Sequence, residues 1–231
     1  MSEPVQSKLW YLKQFNLFEE FNPAEMETLV PITHMEKVPA RQVVYLPDDP
    51  SDRVFFLKEG RVKISKLSED GKEVTLAILE PGEIFGELAL VDEGPRGTVA
   101  EVLEDTFICY IERLDFQKLL DRKPELALKI SKLIGARRKA LEVKIEDLVF
   151  RDVNARLAKL LLELVESYGT AVVAGVRIDV KLTHKELANL IGSTRETTTA
   201  ALNDFRRRGL ITNDKRRLIV VNRSGLESVA A

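Results

Sequence analysis

The chain has 231 residues, 45% of them hydrophobic and 31% charged, a balance that excludes both a stapled mini-protein and a disordered tail. The longest stretch without a charged side chain, Ser167–Val176, has ten residues, well short of the roughly 18 apolar residues of a membrane span. Net charge is −2, but 21 Lys and Arg stand against 28 Asp and Glu up to Phe150 and 14 against 9 beyond it, so the last third is basic and suits a polyanion partner.

Residues 8–37 read as a short helical region, with Leu17-Phe18 and Phe21 leading into Pro23-Ala24-Glu25 and then Met26, Leu29 and Val30 at helical spacing. From Arg41 the period changes. Val43–Leu46, Val54–Leu57, Val62–Ile64, Val74–Leu79 and Thr106–Ile111 are short, rich in β-branched or aromatic residues, and separated by turns at Glu59-Gly60, Asp70-Gly71 and Pro81-Gly82. An all-β core is expected over roughly 40–112. Arg113–Arg122 reads as a short helix, and Pro124 opens a longer one to about Phe150, about 39 Å long at about 1.5 Å per residue. Ile134, Leu141 and Leu148 repeat at seven along it, with Ile130, Leu133 and Ile145 beside them. That stripe predicts either a two-stranded seam involving Ile130, Ile134, Leu141, Ile145 and Leu148 or packing on the β core, and Arg137, Arg138 and Lys144 interrupt it. Asp152 is expected to cap an amphipathic helix over Val153–Tyr168, ended by Gly169. Val172-Val173 and Val176–Val180, hinged at Ala174-Gly175, predict a hairpin.

The segment Leu182–Ile211 carries the most specific signal. Thr183 with Glu186 forms a capping box, Leu187, Leu190 and Ile191 make an apolar face, and Gly192 allows a tight turn. Ser193 or Thr194 then caps a second helix that buries Ala201, Leu202 and Phe205 and turns Arg195, Glu196 and Thr199 outward. A helix-turn-helix places such residues at base edges, where Arg holds guanine O6 and N7 and Glu accepts from cytosine N4. The competing reading is a second capping box, Ser193 with Glu196, beside a solvated Arg195. Arg206-Arg207-Arg208, Gly209, Leu210-Ile211, a turn at Asn213-Asp214 and Arg217–Val221 extend the motif into a basic wing. Thr183, His184, Ser193, Thr194, Lys215, Arg216 and Arg217 are the expected phosphate contacts.

Residues 15–225 resemble the cyclic-AMP receptor protein/FNR superfamily of bacterial transcription regulators. The family's Gly-x-(Ser/Thr)-Arg-Glu-Thr pattern stands here as Gly192-Ser193-Thr194-Arg195-Glu196-Thr197. The resemblance implies an α+β chain: a cyclic-nucleotide-binding-type β-roll of jelly-roll form (1–122), a long dimerisation helix (123–150) and a winged helix-turn-helix (151–231). It also implies a homodimer on a two-fold DNA site that is bent on binding, and a contact with RNA polymerase. The founding receptor has a further Arg where this chain has Ala200, so a related but different half-site is expected.

A second motif, Gly86–Arg96 (GELALVDEGPR), resembles the phosphate-binding cassette of cyclic-nucleotide-binding domains. One guanidinium suits an anionic oxygen pair and one carboxylate suits a sugar hydroxyl, which together fit a singly charged ribose phosphodiester. Gly86, Glu87, Leu88, Arg96, Gly97 and Thr98 are candidate effector contacts, and cyclic AMP or cyclic GMP the candidate effectors. Two departures bear on this. Gly97 follows the arginine where the founder has Ser, and the founder's Thr-Ser pair on the long helix falls on Leu141-Glu142, which become the candidate helix contacts. The alternatives are another small effector, no ligand at all, and a Glu87–Arg96 ion pair that merely holds the roll together.

Cys109 lies in an apolar strand and reads as a buried structural thiol; as the only cysteine it excludes an internal disulfide or a four-cysteine cluster. His34 has no Cys/His partner for a haem, and no metal site is expected. No nucleophile–base–acid set, Gly-x-x-x-x-Gly-Lys loop or His-Glu-x-x-His occurs, so no enzyme is predicted. The reducing cytoplasm is the expected compartment. Two rivals stay open: a constitutive DNA binder with a vestigial pocket, and a cyclic-nucleotide-responsive module whose winged helix binds protein.

Overall fold

The computed structural model describes residues 5–214 and 217–231. They form two compact units, one running to Lys72 and including Leu76–Ala140, the other made of Glu73–Thr75 and Leu141–Ala231. The division falls inside the long helix.

In the first unit, α1 (Val5–Leu12) and α2 (Pro23–Leu29) precede the β-roll. Asn22 caps α2 through a reciprocal box, accepting from the Glu25 N–H at 3.0 Å while Glu25 Oε2 accepts from the Asn22 N–H at 2.8 Å. The expected helical region does not reach residue 37. Thr33–Val38 is strand β1, which pairs antiparallel with β8 (Thr106–Glu112) from Thr33↔Ile111 to Val38↔Thr106. Only its ends, Thr33 and Val38, are buried. The polar run between them carries no period that sequence reading could detect, and the ladder with β8 decides its conformation.

Between these strands lie β2 (Val43–Tyr45), β3 (Arg53–Glu59), β4 (Val62–Leu67), β5 (Glu73–Leu79), β6 (Ile84–Phe85) and β7 (Val99–Val102). They form two four-stranded sheets, in the orders β1-β8-β3-β6 and β2-β7-β4-β5. The unbroken apolar run of β3 follows from its position, because successive side chains point to opposite faces and both faces are covered. Phe55 and Leu57 enter the core between the sheets with Tyr45, Val62, Phe85 and Ile108. Val54 and Phe56 enter a second core with Cys109, Phe15, Phe18 and Phe116. Phe56 is fully buried there, its ring centroid 5.2 Å from that of Phe15 and 5.4 Å from that of Phe18.

Two helices follow, α3 (Arg113–Arg122) and α4 (Pro124–Phe150), with the boundaries expected from sequence. Ile130 corrects the seam reading: it is 4% exposed and packs in the second core with Leu126, and Ile134 lies partly buried against the same core. Leu141, Ile145 and Leu148 are exposed on α4, as are Val149 and Phe150.

In the second unit α5 (Val153–Tyr168) starts at Asp152, whose Oδ1 accepts from the Ala155 N–H at 2.8 Å. Next come β9 (Gly169–Val172), β10 (Gly175–Ile178), α6 (His184–Ile191), α7 (Arg195–Arg207), β11 (Ile211–Asp214), β12 (Arg217–Val220) and α8 (Arg223–Ala230). The sheet order is β11-β12-β10-β9. The hairpin begins earlier than expected: Gly169 pairs with Ile178 and Val172 with Gly175, leaving Val173 and Ala174 as its turn. Asn213 and Asp214, expected in a turn, are strand residues opposite Leu218 and Arg217. One core of Leu157, Leu161, Ile178, Leu187, Leu202, Phe205 and Leu226 joins these elements. Among the described residues no helix is long and apolar enough to cross a membrane.

Phe56→Ala should lower the stability of the first unit by about 3–5 kcal/mol, the range for emptying a buried aromatic site. Chemical denaturation of the variant checks this, and a loss under about 1 kcal/mol would contradict the packing described.

Candidate nucleic-acid interface and effector pocket

The interface begins with the cap of α6. Thr183 Oγ1 accepts from the Glu186 N–H at 3.2 Å and Glu186 Oε2 accepts from the Thr183 N–H at 2.6 Å. Gly192 ends α6 in the left-handed region at φ 61°, the conformation that favours glycine, and the end of the exposed Leu148 side chain lies over it, 2.6 Å from where a Cβ would stand. Thr194, not Ser193, caps α7, its Oγ1 accepting from the Thr197 N–H at 3.1 Å. The alternative capping box of Ser193 with Glu196 does not form. Thr198, Ala201, Leu202 and Phe205 face the core. Arg195 and Glu196 are exposed in the first turn, and neither side chain is bonded to another among the described residues.

Thr199 departs from its expected place among the base readers. It is half-buried, its hydroxyl donates to the Arg195 carbonyl at 2.8 Å, and His184 Nδ1 lies 2.9 Å from the same oxygen. The surrounding cations are partly matched. Arg206 donates to Asn203 Oδ1 at 2.7 Å, and Arg207 and Arg208 pair with Asp204. Arg217, expected to reach phosphate, donates to Asp179 Oδ1 at 2.6 Å, and Arg177 Nε bonds the same oxygen at 2.8 Å. Lys215 and Arg216, the remaining wing cations, lie outside the described residues.

The second site is built around the turn Glu87–Leu90 in the first unit. Gly86 enters it at φ 70°, and a Cβ there would meet Arg96 Nη1 at 2.7 Å and the Arg53 carbonyl at 3.0 Å. The Arg96 side chain is 4% exposed. It lies over the rings of Tyr45 and Phe55, 4.8 and 5.4 Å from their centroids. Its donors go to the carbonyls of Pro50 (3.1 Å), Arg53 (2.9 Å) and Gly86 (3.4 Å), and Asp52 Oδ1 stands at 3.4 Å. Burial pulls its proton affinity below the ordinary arginine value, with Tyr45 and Asp52 opposing. A guanidinium remains charged regardless. Arg96 is therefore a buried cation matched mainly by carbonyl dipoles, an arrangement that favours an incoming anion.

Glu87 and Arg96 do not pair with each other. Glu87, 6% exposed, pairs with Arg137 of α4, Nη1 to Oε2 at 2.6 Å, and Arg137 also donates to the Ile84 carbonyl. Gly97 and Thr98 are engaged internally, Gly97 N–H with the Pro47 carbonyl at 2.8 Å and Thr98 with the Tyr45 hydroxyl. Leu88 is exposed, and Leu141 and Glu142 belong to the second compact unit.

Two family matches follow this division: a cyclic nucleotide-binding domain over residues 35–123 and a Crp-like helix-turn-helix domain over residues 155–229. The chain is 31% identical over 200 residues to a CRP-like cAMP-activated global transcriptional regulator of Mycobacterium tuberculosis, covering 87% of this chain and 89% of that protein. It is 37% identical over 193 residues to the global nitrogen regulator of Synechococcus elongatus, covering 81% and 86%. The structure of a CooA variant from Carboxydothermus hydrogenoformans superposes with a TM-score of 0.77 at 30% identity, covering 94% and 96%. The chain belongs to the CRP/FNR family of transcription regulators. It is a DNA-binding regulator and not an enzyme.

Within this CRP/FNR chain, sequence reading missed three positioning residues. Arg137 looked like a flaw in an apolar stripe, and nothing local marks it as the partner of Glu87. Asp179 follows the β10 strand and gathers Arg177, Arg217 and Thr170. Arg156 of α5 donates to the carbonyls of Ile191 at 2.8 Å and Arg151 at 2.7 Å, satisfying the ends of α6 and α4 with a cation where helix carbonyls are unpaired.

Arg137→Met leaves the Glu87 carboxylate buried without its cation. A loss of roughly 2–3 kcal/mol is expected, less than the 3–5 kcal/mol of a fully enclosed pair because Arg137 is 26% exposed. Adding Glu87→Gln should restore most of it. Additive losses in the double variant, measured by denaturation, would contradict the pairing.

Proposed function

We propose that this regulator acts as a homodimer on a two-fold site in double-stranded DNA, with Arg195 and Glu196 reading base edges and a small anionic effector at Arg96 biasing the state that binds. The observation that carries the reading is the first turn of α7, where an arginine and a glutamate stand exposed and, among the described residues, unpartnered on a capped, core-anchored helix. Thr183, His184, Ser193 and Thr194 surround that turn and are assigned to the DNA backbone, with Lys215 and Arg216 on sequence grounds. Arg217 is assigned instead to holding the wing through Asp179. Leu141, Ile145 and Leu148, exposed on α4, form the seam with a second copy, and burying their apolar surface supplies its driving force. Residues 1–122 then constitute the sensor, 123–150 the dimer helix and 151–231 the DNA reader. The compartment is the cytoplasm, where RNA polymerase is the further partner.

A cyclic nucleotide is the effector class favoured by the domain match and by Arg96, whose buried charge suits one phosphodiester. Its hydroxyls would be accepted by Glu87, whose carboxylate Arg137 orients. A ligand-independent regulator is the second reading, favoured by the internal bonds of Gly97 and Thr98 and by the absence of hydroxyls at Leu141 and Glu142.

Arg195→Ala should cost about 1–3 kcal/mol on a duplex selected by the full chain and relax preference at one G·C pair. Uniform weakening on all sequences would contradict base reading. For the effector, titration calorimetry of the full chain with cyclic AMP and cyclic GMP should give heat that Arg96→Lys abolishes, since an ammonium lacks the fork. No heat, with DNA binding intact, would select the ligand-independent reading.

A further inference from the structure

The contacts around His184 favour one placement of its ring proton. Thr199 has a single hydroxyl hydrogen, and the Arg195 carbonyl, 2.8 Å from its Oγ1, can only accept, so both contacts of that oxygen are satisfied together only when the hydrogen goes to the carbonyl. Only a lone pair of Thr199 Oγ1 is left for His184 Nδ1, 2.9 Å away, so Nδ1 is the donor. In the neutral ring Nε2 then holds a lone pair and no hydrogen. A DNA phosphate oxygen only accepts. A neutral imidazole in this tautomer therefore has nothing to offer it.

We propose that His184 engages the DNA backbone only as an imidazolium, so that binding takes up one proton per recognition helix, and that Thr199 is the positioning residue enforcing this coupling. The inference rests on the assignment of His184 to the DNA backbone made above. The surroundings of the ring agree with it. Burial, then Arg206 and Arg195 of α7, hold the imidazole below its ordinary proton affinity, so the free chain presents it neutral near pH 7. Helix α5, which also packs on α6, contributes no charged group that acts on the ring among the described residues. Glu186, the carboxylate on α6 itself, is turned to the Thr183 N–H. An arriving phosphate supplies the negative charge the site lacks and raises the proton affinity. Because binding raises it, affinity falls with rising pH between the free and bound values, and is level below the free value, where both forms carry the proton.

The test measures affinity for a duplex selected by the full chain from a random-sequence pool, at pH values from about 6 to about 8 around the histidine range. Wild type should weaken with rising pH, approaching about tenfold per pH unit for each recognition helix at the steepest point. His184→Gln, whose amide donates at any pH, should flatten that dependence. Thr199→Val removes the acceptor, freeing the neutral tautomer with hydrogen on Nε2, and should also flatten it while leaving the preferred sequence unchanged. Calorimetry in two buffers of different ionisation heat counts the protons directly and should find uptake in wild type alone. Parallel pH profiles for wild type and His184→Gln would overturn the proposal. If His184→Gln matches wild type at every pH, the backbone contact itself is wrong. If wild type is flat but His184→Gln is weaker throughout, the contact stands and the proton coupling is overturned.

Discussion

The left-handed turn at Gly192 is the constraint on which the DNA-reading geometry depends. Its left-handed backbone conformation fixes where α6 stops and turns the chain into α7. Thr194 then holds the first turn of α7 while Thr198, Ala201, Leu202 and Phe205 anchor its inner face. With rotation about the helix axis set by that burial, Arg195 and Glu196 have no direction left but outward. Arg156 closes the same corner by bonding the last carbonyls of α6 and the chain just beyond α4. The end of α4, the start of α5 and the turn of the helix-turn-helix thus meet through Leu148 at Gly192 and the carbonyl bonds of Arg156.

Helix α4 is continuous from Pro124 to Phe150. Its N-terminal part enters the second core of the β-roll through Leu126 and Ile130 and reaches Glu87 through Arg137. Its last turns carry Leu148 to Gly192. In the proposed reading, an effector at Arg96 would act on the Glu87–Arg137 pair, the contact between the turn at Glu87 and α4 within the first unit. Such an effector shifts the regulator only to the extent that it binds one arrangement of that helix more tightly than the other. On that reading Arg96 is the buried cation that would attract the anion, and the Glu87–Arg137 pair is the contact proposed to differ between arrangements.

Features carried by local pattern were legible in the sequence. The boundaries of α3, α4 and α5, the capping box of α6 and the buried face of α7 all follow from periodicity and cap residues close together in the chain. Strand β1 and helix α8 were not, because each is short and takes its conformation largely from partners elsewhere: β1, polar between its ends, from β8, and α8 through the burial of Leu226. The candidate sites divide in the same way. The outward exposure of Arg195 and Glu196 was readable from the turn that precedes them. The pairing of Glu87 with Arg137 rather than Arg96, the capture of Arg217 by Asp179 and the use of the Thr199 hydroxyl by His184 all join residues distant in sequence, and no spacing announces them. Ile130 shows the limit of heptad reading, since an apolar stripe does not say whether a sheet or a second helix covers it.

The central claim is that a guanidinium and a carboxylate at the start of α7 touch base edges. It is tested most directly by chemical interference on the selected duplex with the full-length protein. Methylation of guanine N7 should block binding at one guanine in each half of a two-fold site, since N7 is half of what an arginine fork grips. Interference confined to ethylated phosphates, with every guanine tolerant of methylation, would contradict the account.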